Sequence, residues 1–141
     1  MIPSSITQIL CSMPARDRYH QKVKNALIKD GWTITDEPLH LKWGKKDMYV
    51  DLGAEQLLAA EKEGRRIAVE IKTFGSLSEM ADLEQAVGQY FVYFAVMAET
   101  KPDQTLYLAL HQDAFFDVFD EPLGQLLLEK YQLPLIVFEP E

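Results

Sequence analysis

Apolar residues recur along this chain at two different periods. Between residues 17 and 30, Tyr19, Val23, Ala26 and Leu27 fall at i, i+4, i+7 and i+8, which is one stripe of a helix, and Gly31 stops it. A second helical stripe runs through Leu83, Val87, Tyr90, Phe94 and Met97 or Ala98. Ser76-x-x-Glu79 reads as a capping box at its start, and Lys101-Pro102-Asp103 ends it just after Glu99. Between the two helices the pattern turns extended. Trp32 to about Thr35 and Leu39 to Trp43 are strand candidates separated by Asp36-Glu37-Pro38. Met48 to Leu52 and Gln56 to Glu61 follow, and Glu63-Gly64 makes a turn into Arg66–Phe74, where alternation is clearest. Beyond the second helix, Thr105–Leu110 reads as an apolar strand, Asp113–Phe119 and Leu123–Lys130 as short helices, and Leu133–Phe138 as a last strand.

This order predicts an α/β sandwich with a mixed central sheet flanked by helices. A doubly wound fold would alternate strand and helix regularly, and this chain does not. With 141 residues, 48% of them hydrophobic, the chain fits one domain with one sizeable core. Met1 to Ser12 stand outside the pattern, which begins beside Met13. They carry no basic stretch ahead of their apolar part, as a signal peptide would, and are expected to form a mobile N-terminal extension to a 13–141 domain. No apolar run is long enough to span a membrane.

The candidate chemistry lies on the clearest strand. Along Ile67-Ala68-Val69-Glu70-Ile71-Lys72, alternation sends Ile67, Val69 and Ile71 to one side and Ala68, Glu70 and Lys72 to the other. A carboxylate and an ammonium thus leave the same face near a strand end. Asp51, on the apolar segment Tyr49-Val50-Asp51-Leu52, supplies a second carboxylate from a neighbouring strand. Two carboxylates make a hard-oxygen site suited to Mg²⁺, with Mn²⁺ as its substitute. Such an ion polarises a phosphodiester and acidifies a water, which Lys72 would orient. A Glu-x-Lys pair on a strand face is also what two solvated charges look like. Glu55 is a weaker candidate metal ligand beside or in place of Asp51. Gln85 and Gln89, at i and i+4 on the second helix, share a face near the site or face water.

Charge changes this picture. The chain carries a net −8, unlike a protein that coats DNA. The charge is unevenly spread: residues 14–46 hold eight Lys or Arg against four Asp or Glu, whereas residues 47–141 hold six against eighteen. Lys42, Lys45 and Lys46 with Trp43 form a basic, aromatic cluster that could meet a phosphate and a base, or could be a solvated loop. The single cysteine, Cys11, excludes an internal disulfide and a cysteine-based zinc site, as in a reducing cytoplasm. His20, His40 and His111 show no ligand spacing.

The run from Met13 to Glu141 resembles the XisH family of cyanobacterial element excision controlling factors. The resemblance is carried by Met13-Pro-Ala-Arg-Asp, Val23-Lys-Asn-Ala-Leu-Ile-Lys-Asp-Gly-Trp, Asp47-Met-Tyr-Val-Asp-Leu-Gly-Ala-Glu, Ile67-Ala-Val-Glu-Ile-Lys and Leu135-Ile-Val-Phe. It implies a restriction-endonuclease-like core of the PD-(D/E)xK superfamily. It also implies a role in the controlled excision of a DNA element, alongside a site-specific recombinase and a companion called XisI. Within that superfamily the matching positions are Asp51, Glu70 and Lys72, which would bind metal and hydrolyse DNA. The Pro of the motif is replaced by Val50. Where many relatives carry a Glu on the first helix, this chain has His20 and Gln21, which become supporting positions. Gln85 through Tyr90 resembles a helix glutamine and tyrosine arrangement, at a different spacing. Three roles stay open: a Mg²⁺-dependent endonuclease, a non-catalytic regulator binding DNA or a protein, and one half of a two-protein module. Self-association into a homo-oligomer is left open as well.

Overall fold

The structure, a computed structural model, describes residues 15–56 and 64–139, with side chains from Arg18 onward. The expected extension at residues 1–12, and most of the strand expected at Gln56–Glu61, lie outside the described residues. The chain forms α1 (Ala15–Lys29), β1 (Thr33–Asp36), β2 (Leu39–Trp43), β3 (Lys46–Val50), β4 (Leu52–Gln56), β5 (Arg65–Lys72) and α2 (Glu79–Thr100). Then come β6 (Gln104–His111), a single turn α3 (Gln112–Ala114) that widens into a π turn over Phe115–Phe119, α4 (Pro122–Tyr131) and β7 (Leu135–Phe138). Gly31, at φ +91°, supplies the left-handed residue that ends α1.

Five strands make a mixed sheet in the order β1-β4-β5-β6-β7. β1 with β4 and β4 with β5 pair antiparallel, whereas β5 with β6 and β6 with β7 pair parallel. Parallel neighbours cannot be joined by a tight turn, and α2 is the crossover that carries the chain from β5 to β6. The mixed α/β sandwich expected from the sequence is therefore present. β2 and β3 stand apart as a two-stranded hairpin.

Each face of the sheet has its own core. On one side Val23 and Leu27 of α1, with Trp32, pack on Leu52, Ala54, Ile67, Val69 and Ile71. On the other, Leu83, Ala86, Tyr90 and Tyr93 of α2 pack with Ala68, Leu106, Leu108 and Leu110, and with Leu39, Leu41 and Val50 of the hairpin. Val69 and Leu52 are fully buried, each stabilising the fold by about 1.5–3 kcal/mol relative to exposure.

Three expectations need correction. Met48–Leu52 is not one strand. It divides at Asp51, the last residue before β4, because the Asp51 N–H is donated to the Glu70 carboxylate. The cap of α2 is Ser78, whose hydroxyl accepts from the Ala81 N–H at 3.1 Å, whereas Ser76 is held by Asp82. The buried stripe of α2 also passes through Tyr93 and Val96 rather than Phe94, which is half exposed.

Candidate active site

The site is set by strand register. β4 and β5 pair Leu52 with Val69 and Gly53 with Ala68, so the residue before β4 comes opposite Glu70. Asp51 and Glu70 are then locked reciprocally. The Asp51 N–H donates to Glu70 Oε1 at 3.2 Å, and the Ile71 N–H donates to Asp51 Oδ2 at 2.8 Å. Each carboxylate is thereby oriented by the backbone of the other's strand. Lys72, two residues along the same face, brings Nζ to 3.4 Å from Glu70 Oε2. Asp51, Glu70 and Lys72 therefore converge at one spot.

They open onto a cavity of about 310 Å³ between the end of β5 and the first turns of α2. Asp82, Gln85, Ala86 and Gln89 line its helical wall, and Thr73 and Phe74 close the strand end. Gln85 and Gln89, expected on one helix face near the site, both reach it. Asp82 is the residue that sequence reasoning missed. The signal was present, because Asp82, Gln85, Ala86 and Gln89 follow i, i+3, i+4 and i+7, extending the glutamine pair by one turn toward the strand. Asp82 also shapes the approach to the helix, since its carboxylate accepts from the Ser76 N–H and hydroxyl at 3.1 and 2.7 Å.

Electrostatics set Glu70 apart. Only 6% of it is exposed, and its pKa is raised from an ordinary 4.5 to about 7. Burial is the largest cause, the neighbouring Asp51 charge adds to it, and Lys72 opposes both. Gln89 lines the same cavity. It donates Nε2 to the Tyr93 hydroxyl at 2.7 Å, which leaves its Oε1 buried with no hydrogen-bond partner among the described residues. This Gln89–Tyr93 pair replaces the Gln85-to-Tyr90 arrangement expected from the sequence. Tyr90 turns into the core instead and donates its hydroxyl to the Leu106 carbonyl at 3.3 Å.

Among the described residues, no group of three or more His, Cys, Asp or Glu gathers as a metal cluster. Two hard carboxylates, Asp51 and Glu70, meet at the strand side of the cavity, while Asp82 on the helical wall is held by Ser76. That pair fits Mg²⁺, which commonly takes one or two carboxylates and fills its remaining positions with water and phosphate oxygens. A cation would also relieve the crowding of negative charge that raises the Glu70 pKa.

Other candidates are placed elsewhere. Glu55 lies four residues further along β4 from Asp51, roughly 13 Å at 3.3 Å per residue. It pairs there with Arg66 at 3.4 Å and is not among the cavity's residues. His20 and Gln21 sit on α1, which covers the opposite face of the sheet, and His20 is bound to Glu37 at 3.1 Å. Lys42, Trp43, Lys45 and Lys46 occupy the far end of the β2–β3 hairpin, whose near end runs directly into Asp51.

The family model described as XisH protein matches residues 13–141. The chain is similar to the crystal structure of an XisH family protein from Nostoc punctiforme, with 30% identity and a TM-score of 0.77, over 86% of this chain and 90% of that one. It is also similar to the crystal structure of an fdxN element excision controlling factor protein from Anabaena variabilis. There the identity is 31% and the TM-score 0.76, over 87% of this chain and 91% of that one. No curated protein matches. Among the described residues, no helix is long and apolar enough to cross a membrane.

Proposed function

Because the chain belongs to the XisH family, we propose that it is an excision controlling factor that acts on a DNA element by Mg²⁺-dependent hydrolysis of phosphodiesters at the Asp51–Glu70–Lys72 cavity. The observation that carries this reading is the reciprocal lock between Asp51 and Glu70, with Lys72 beside it, in an open polar cavity. Two neighbouring carboxylates, one of them buried, cost the fold free energy. A pair set together at that cost is what a site for a cation or a proton requires. The likeness to the PD-(D/E)xK arrangement, in which an Asp and a Glu-x-Lys hydrolyse DNA, adds to this support.

In this reading Asp51 and Glu70 hold Mg²⁺, or Mn²⁺ in its place. The bound ion supplies Lewis acidity toward the phosphate and lowers the pKa of a water. Lys72 orients that water and meets the negative charge that develops on the phosphate. Asp82, Gln85 and Gln89 form the opposite wall and position what enters.

A second reading rests on charge. Residues 47–141 carry eighteen Asp or Glu against six Lys or Arg. A surface of that sign suits a protein partner better than a long duplex. The chain would then be a regulator that binds DNA or an XisI-like companion and so controls a site-specific recombinase without cleaving anything itself. The deciding experiment incubates the protein with supercoiled, linear and single-stranded DNA, with and without Mg²⁺ and with and without the companion. Metal-dependent cleavage that disappears in Lys72→Ala supports the hydrolytic reading. Intact DNA under every condition sinks the hydrolytic reading, and binding of DNA or the companion without cleavage supports the regulator.

A further inference from the structure

The hairpin attached to the site is built unlike the rest of the molecule. It pairs Leu39 with Val50, His40 with Tyr49, Leu41 with Met48, Lys42 with Asp47 and Trp43 with Lys46. Alternation turns Leu39, Leu41 and Val50 into the core shared with α2, so the other row faces outward. On that outward row the rings of His40 and Tyr49 stack, with centroids 5.1 Å apart and planes 25° from parallel. Trp43 and Lys46 belong to the inward row of Leu39 and Leu41 but lie past the end of the core, at the hairpin tip, where Trp43 stands 55% exposed; Tyr49, on the outward row, is exposed to the same degree. Three lysines share this end, Lys42, Lys45 and Lys46. The acid nearest them, Asp47, is bound to His40 Nε2 at 2.7 Å. Gly44, at φ +61°, forms the tight turn that brings Trp43 and Lys46 opposite one another.

Ring faces interleaved with lysines are what the backbone and unstacked bases of a single strand require. A duplex offers no base faces, because its bases are stacked on one another and present only their edges in the grooves. Charge points the same way. A duplex carries one phosphate charge per ~1.7 Å, and a long one would lie against a chain of net −8. A narrow contact on one basic hairpin avoids that repulsion. The hairpin is also continuous with the site, since β3 ends at Val50 and Asp51 follows. By strand rise, Tyr49 is roughly 7 Å along the chain from Asp51 and Lys46 roughly 17 Å.

We infer that the outward row and the tip of the β2–β3 hairpin form a binding surface for unpaired DNA, on which the His40–Tyr49 rings on the outward row and Trp43 at the tip receive bases while Lys42, Lys45 and Lys46 meet phosphates, so that the cavity acts on single-stranded DNA or on a single-stranded segment beside a duplex. This names the substrate class of the hydrolytic site and rests on that reading for the chemistry, though not for the binding.

The test is binding of the full chain to three labelled oligonucleotides in the presence of a chelator, so that no cleavage occurs. One is an unstructured single strand, one its duplex, and one an abasic strand with the same phosphates. The single strand should bind at least tenfold more tightly than the other two. Trp43→Ala and Tyr49→Ala should each weaken single-strand binding by about fivefold or more, the lower end of what stacking one base contributes. Both rings are exposed, and thermal melting confirms that the variants fold. Replacing Lys42, Lys45 and Lys46 together by Ala should flatten the log–log salt slope by about 2, at ~0.7 per phosphate on a single strand. Equal affinity for single strand and duplex, equal affinity for the abasic strand, unchanged binding by both ring variants, or no binding at all would each overturn the inference. The hydrolytic reading fails separately. Tight single-strand binding with no metal-dependent cleavage sinks that reading alone, and cleavage that ignores strandedness and the ring variants sinks the hairpin surface alone.

Discussion

The two faces of β5 are packed to similar depth and do opposite things. Toward α1 the strand presents Ile67, Val69 and Ile71, all buried in an apolar cluster with Val23, Leu27 and Trp32. Toward α2 it presents Ala68, then Glu70, then Lys72, with Glu70 as buried as Ile71. On the first face burial removes apolar surface from water and holds the fold together. On the second it strips a carboxylate of its hydration and sets it against Asp51, which stores unfavourable free energy that a cation or a proton relieves. One strand thus separates stability from chemistry by the parity of its residues.

The largest expected effect breaks the polar face. Asp51→Ala with Glu70→Ala should lower metal-dependent DNA cleavage by about a thousandfold or more while the protein still melts cooperatively. Nicking rates beside thermal melts check this, and a loss below tenfold would put the chemistry elsewhere. The apolar face should respond in the converse way. Ile67→Ala should cost about 2–5 kcal/mol in urea unfolding and leave cleavage per folded molecule unchanged. A cost below 1 kcal/mol would mean that this face does not hold the fold.

The pH dependence of stability sharpens the contrast. Below pH 4.5 the Glu70 carboxyl is protonated whether the chain is folded or not, and the full stability is present. Between 4.5 and about 7 the unfolded chain loses that proton first, so the fold bears a growing cost as pH rises. Metal-free protein should therefore lose stability across that window, by up to ~3 kcal/mol. Glu70→Gln should remove this loss and be the more stable protein at pH 8. Parallel pH profiles for the two proteins would show that Glu70 is not the group responsible. The smallest effect concerns the helix that carries the cavity wall. Ser78→Ala should cost ~1 kcal/mol through its cap, whereas Ser76→Ala frees the Asp82 carboxylate beside the cavity. If Ser76→Ala proved the more costly of the two, the assignment of the cap would be wrong.

What the sequence made legible was the part governed by local periodicity. The parity of Ile67 to Lys72 gave the two faces of β5, and Gly31 gave the end of α1. Asp51, Glu70 and Lys72 were legible as a group because a strand pair places them within one register step. What stayed hidden depended on partners distant in the chain. The break at Asp51 follows from a hydrogen bond to Glu70, nineteen residues away, which local pattern does not carry. Ser76 and Ser78 both have a serine's cap chemistry, and only Asp82, by holding Ser76, decides between them. Phe94 is the more apolar residue, yet Tyr93 is buried, with the Gln89 side chain donating to its hydroxyl. Glu55 matched Asp51 in chemistry and in sheet face, but Arg66 directly across the ladder pairs with it.

The polar face of β5 is expected to take up a divalent cation in place of a proton. Titration calorimetry with Mg²⁺ or Mn²⁺, repeated at pH 6.5 in two buffers of different ionisation enthalpy, measures both events together. The wild-type chain should bind metal and release a fraction of a proton, because Glu70 is partly protonated there and a bound cation excludes that proton. The release should fade above pH 8, and Asp51→Ala with Glu70→Ala should give no binding heat. Binding heat of the same size in the double variant, or no binding by wild type at any pH, would contradict the account.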